Sequence, residues 1–69
     1  MASNARAYAR IMWNRYCETG ETMFESTAIG MDEGAWDALE SEGVVESMNT
    51  VKGTVILDPA SAQRYLNLR

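Results

Sequence analysis

No histidine occurs in this chain, and cysteine, lysine, proline and phenylalanine occur once each. Without histidine, acid–base catalysis near neutral pH loses its usual carrier. Cys17 and the serines have no base partner visible in sequence, and carboxylates on a solvated surface keep ordinary proton affinities. No histidine–cysteine set is present to hold zinc. Asp32–Glu33–Gly34 has the flavour of a calcium loop but lacks its alternating acids and distal glutamate. Glycine-rich phosphate-binding loops are missing too. Neither catalysis, a cofactor nor a metal is expected.

Other absences bear on compartment. A lone cysteine allows no intrachain disulfide and fits a reducing cytosol. Cys17 is expected to act as a small apolar side chain near the end of the first helix. No stretch approaches the ~20 apolar residues of a membrane span. No apolar run follows the N-terminal arginines, so no signal peptide is expected and the chain reads as soluble and cytoplasmic.

Positive charge is missing from the middle of the chain. From Glu18 to Glu46 there are nine acidic residues and no Lys or Arg. The flanks are the reverse, with Arg6, Arg10 and Arg15 before this block, and Lys52, Arg64 and Arg69 against Asp58 alone after it. The net charge of −4 therefore conceals a segregated distribution. With 69 residues the chain is read as a single domain, 1–69. A chain of this size buries about 60% of its unfolded surface and gains ~3–5 kcal/mol from its core. Dimerisation, or docking on a partner, is expected on stability grounds.

What is present reads as a series of capped helices and a hairpin. Ser3 or Asn4 opens a first helix that runs to about Thr19, with Gly20 left-handed beyond its end. Ala5, Tyr8, Ala9, Met12, Trp13 and Tyr16 share one broad face, and the aromatic stripe is expected in the core. Thr22 and Glu25 have capping-box spacing, which predicts a short helix over Met23–Ile29, ended by Gly30. Asp32 caps a third helix from Glu33 to about Glu42, closed by Gly43. Ala35, Trp36 and Leu39 are its core side, and Glu33, Asp37, Glu40 and Ser41 its outward side. Val44–Met48 and Thr54–Leu57 read as a hairpin with Lys52 near the tip. Asp58 and Pro59 then start a last short helix that returns Tyr65 and Leu66 to the core.

The Gly30–Met31–Asp32 turn, and Leu39–Glu40–Ser41–Glu42–Gly43–Val44–Val45–Glu46 as an exit from helix into strand, resemble the winged helix-turn-helix superfamily. The likeness covers roughly residues 22–57 and uses generic motifs. It implies an α+β fold: three helices, a two-stranded wing over Val44–Leu57 and a short C-terminal helix. In DNA-binding members the third helix enters the major groove with Arg, Lys, Asn, Gln or Ser outward. Here that helix presents Glu33, Asp37, Glu40 and Ser41. Binding to DNA rests on neutralising phosphates, and three carboxylates do the opposite.

Two functions are therefore expected in order. The first is a non-catalytic module whose acidic third helix, through Glu33, Asp37, Glu40 and Ser41, docks on a basic surface of a partner protein or complex. Size and charge are similar to those of phage and mobile-element proteins that inhibit host machinery. The alternative is a DNA-binding transcriptional regulator, dimeric, contacting duplex DNA through Arg6, Arg10 and Lys52. The bland reading of the acidic face, a solvated surface kept for solubility, stands beside both.

Overall fold

A computed structural model of the chain describes residues 4–47 and 53–68. Helix α1 spans Ala5–Thr19. Ala5, Ala9 and Met12, one helical turn apart, are fully buried, and small side chains at the first two let the neighbouring elements approach closely. The aromatic stripe forms the shoulders rather than the centre: Tyr8, Trp13 and Tyr16 are half-buried against the core. Trp13 and Tyr16 pack with ring centroids 5.6 Å apart in a tilted pair. Gly20, at φ +79°, ends the helix as expected, its N–H donating to the Tyr16 carbonyl at 2.8 Å.

The short helix expected over Met23–Ile29 is not formed. Met23–Glu25 is instead a strand, β1, followed by turns to Gly30. The capping-box pattern is a local signal, and a sheet partner overrides it. Phe24 alone faces inward, and both the N–H and the hydroxyl of Ser26 donate to the Gly53 carbonyl, at 2.7 and 2.8 Å. These bonds tie the segment to a neighbouring strand where a helix would bond to itself.

Helix α2, Glu33–Ser41, keeps the boundaries read from sequence. The Asp32 carboxylate caps it by accepting from the Ala35 N–H at 2.7 Å. Gly43, at φ +76°, turns the chain out, and Val44 N–H returns to the Leu39 carbonyl at 2.9 Å. Strands β2 (Val45–Ser47) and β3 (Thr54–Leu57) follow. Val45 stands opposite Leu57, and Met23 opposite Ile56, in an antiparallel sheet of order β1-β3-β2. The fold is thus α+β, with three helices and three strands among the described residues, where four helices and two strands were expected.

Helix α3, Pro59–Tyr65, has proline in its first turn, where no N–H is needed. Met12, Leu39, Leu57, Val44 and Val55 are the largest fully buried side chains. They come from α1, α2, the turn between α2 and β2, and the inner face of β3, so one core joins the elements. Leu66 is buried beyond the end of α3, as expected, with Tyr65 half-buried. Cys17 is exposed, so it contributes nothing to the core. No helix among the described residues is long and apolar enough to cross a membrane.

Candidate interaction surface

The 3.6-residue period of α2 places Ala35 and Leu39 inside and turns Glu33, Asp37, Glu40 and Ser41 to solvent. All four outward residues singled out from sequence are exposed on this one helix. Glu33 and Asp37 are like charges one turn apart, a spacing that costs a helix a few tenths of a kcal/mol. Among the described residues no Lys or Arg nitrogen lies within 4.0 Å of any carboxylate. Among the described residues, the acidic face is therefore left open rather than neutralised.

Two residues that sequence reasoning missed as surface components are Trp36 and Ser47. Trp36, expected in the core, is only half-buried. Its Nε1–H donates to the Ser47 hydroxyl at 3.1 Å, and that hydroxyl donates to Glu40 Oε2. The indole needs a polar partner where its edge meets water, and β2 supplies one. This relay fixes Glu40 against the sheet, while Glu33 and Asp37 make no such bond among the described residues. Glu33, Trp36, Asp37, Glu40 and Ser47 line a shallow groove of about 270 Å³. The signal available in sequence was a tryptophan among acids; its partner across the turn was not legible.

The cationic set is arranged differently. Arg6 donates from Nη1 to the Tyr65 carbonyl at 3.3 Å and from Nη2 to the Leu66 carbonyl at 3.1 Å. Its guanidinium therefore closes the end of α3, where unpaired carbonyls and the negative end of the helix dipole favour a cation. Arg10 is exposed nearby, lining a depression with Arg6, Ala7 and Leu66. Lys52 lies outside the described residues.

At the start of α3 the Asp58 carboxylate accepts from the Ser61 hydroxyl at 2.8 Å. That bond, with a smaller contribution from the Arg64 charge, holds the Asp58 carboxyl below its ordinary value. Among the described residues no three Cys, Asp or Glu side chains converge to hold a metal ion. No family model matches the chain, and no curated protein or solved structure matches it either.

Proposed function

We propose that this chain is a non-catalytic interaction module whose acidic α2 face docks on a basic surface of a partner protein or complex. The observation that carries this reading is the exposure of Glu33 and Asp37, with no cation of the described chain in ion-pair reach. Had the arginines of α1 folded over this face, the acidic block would have satisfied itself. Arg6 is turned to α3 instead. We read the fold as winged-helix-like from α2 onward, with β2 and β3 as the wing and α2 in the place of the recognition helix, while β1 and its turn stand where that family has its second helix. A small acidic protein that blocks a basic surface of host machinery is the form this size and charge suit, and a single exposed thiol accords with a reducing cytoplasm.

The test uses Glu33→Lys/Asp37→Lys, which leaves the Glu40–Ser47–Trp36 relay intact. The variant should keep the native circular dichroism spectrum and lose capture of the partner in pull-downs that the wild-type chain supports. Retained capture would sink the proposal. Anisotropy of a labelled random duplex, from about 50 to 200 mM salt, is the companion measurement. Wild-type binding that weakens steeply with salt would give the function to DNA through Arg10 and Lys52, and to a docking mode that turns α2 away.

A further inference from the structure

β1 lies at one edge of the sheet. Its neighbour β3 takes the main-chain groups of alternate residues: Leu57 N–H donates to the Thr22 carbonyl, Phe24 stands opposite Val55, and Ser26 N–H donates to the Gly53 carbonyl. In an antiparallel ladder the residues between these point their N–H and C=O the other way. Met23 and Glu25 therefore address the open side. The Glu25 carbonyl is taken up by the turn, from Ala28 and Ile29 N–H at 3.1 and 3.4 Å. Among the described residues the N–H of Met23, the carbonyl of Met23 and the N–H of Glu25 have no hydrogen-bond partner, and these groups address an incoming strand.

A groove of about 300 Å³ runs along this edge, walled by Ile11 and Arg15 of α1, by Ile29, and by Glu21, Met23 and Glu25. Ile11 and Met23, 46% and 53% exposed, are the large apolar side chains left open among the described residues, and both line this groove. Side chains alternate across β1, with Phe24 inside and Met23 and Glu25 outside. Glu21, two residues before Met23, extends the outer row, so two carboxylates flank one apolar side chain there.

That row decides between occupants. Antiparallel pairing of β1 with a second copy, centred on Phe24, would bring Glu25 of one chain diagonally against Glu21 of the other, and like charges across a ladder repel. Acidic residues on an edge strand oppose self-pairing in this way. The same carboxylates attract a strand with cations on its outer row. Arg15 on the inner wall disfavours cations on the inner row, which must then be apolar to meet Ile11 and Ile29.

We propose that the β1 edge is a strand-addition site for an extended segment of a partner protein in which Lys or Arg alternates with apolar residues. Main-chain bonds to Met23 and Glu25 supply affinity, and Glu21 and Glu25 supply the choice of charge. The site lies at the opposite edge of the sheet from β2 and the α2 groove, and it stands whether or not α2 binds a partner.

The test is an NMR titration of the full chain with a short synthetic peptide of alternating Lys and Val, and with its Glu–Val counterpart. The Lys–Val peptide should bind saturably and slow hydrogen exchange at the Met23 and Glu25 amides. Glu21→Lys/Glu25→Lys should weaken it about tenfold or more and admit the Glu–Val peptide instead. Should that variant fail to fold, Met23→Pro removes an N–H that β3 does not use, and it should abolish peptide binding. Unchanged affinity in either variant overturns the proposal. So do shifts confined to Glu33–Glu40, which would place the peptide on α2. Protection of Met23 and Glu25 that rises with protein concentration, without peptide, would assign the edge to a second copy.

Discussion

Arg6 and Arg10 stand one turn apart on α1, and nothing in their local sequence separates them. The fold does, because only Arg6 reaches the last carbonyls of α3. Arg6→Ala should destabilise the chain by about 1 kcal/mol in urea denaturation, while Arg10→Ala should stay within about 0.5 kcal/mol of wild type. Equal effects would contradict the capping role. Asp58 gives a pH-dependent counterpart. Its folded carboxyl releases its proton at lower pH than the unfolded one, first because the Ser61 hydroxyl donates to the carboxylate. It therefore contributes stability above the unfolded value of about 3.9, and that contribution disappears as pH falls through the lower folded value. Asp58→Asn should melt below wild type at neutral pH, and the gap in Tm should close in acid.

Between elements, the Trp36–Ser47–Glu40 relay is the side-chain link that holds the outer face of α2 to β2. Ser47→Ala should cost about 1 kcal/mol by leaving the indole N–H without its partner. The tryptophan emission of the folded variant should also change, since the indole edge is rehydrated. Helices were legible element by element where cap and period agreed. Asp32 with Ala35 and Leu39 reads as a helix from both signals, and α2 forms there. Over Met23–Ile29 only the cap pattern spoke for a helix. The alternation of one inward Phe24 between outward Met23 and Glu25 is too short to read without knowing that β3 lies beside it.

For the molecule as a whole, one small core must hold three helices and a sheet. Leu39 is fully buried and sits where α2 meets that core. Leu39→Ala should cost about 2–5 kcal/mol, comparable with the ~3–5 kcal/mol such a core supplies. The variant is expected to be largely unfolded by circular dichroism at 25 °C; a cooperative native-like melt would mean the chain is far more stable than its size suggests. Thin stability of this kind also gives a reason for docking surfaces, since a bound partner stabilises the folded state by mass action. The two surfaces proposed for docking, the α2 face and the β1 edge, lie at opposite edges of one sheet.

Sequence by itself determined the Gly20 end of α1, both ends of α2, the outward carboxylates of α2 and the segregation of charge, while Asn4 at the start of α1 makes no side-chain cap bond. Caps, left-handed glycines and helical period act within about a turn of the residue that carries them, so local pattern suffices. Tertiary structure alone decided that Met23–Glu25 is an edge strand, that Arg6 serves α3, and that Glu40 is held while Glu33 and Asp37 stay open. Each of those outcomes depends on a partner distant in the chain (β3, the carbonyls after Arg64, Ser47), and only folding brings that partner within hydrogen-bond reach.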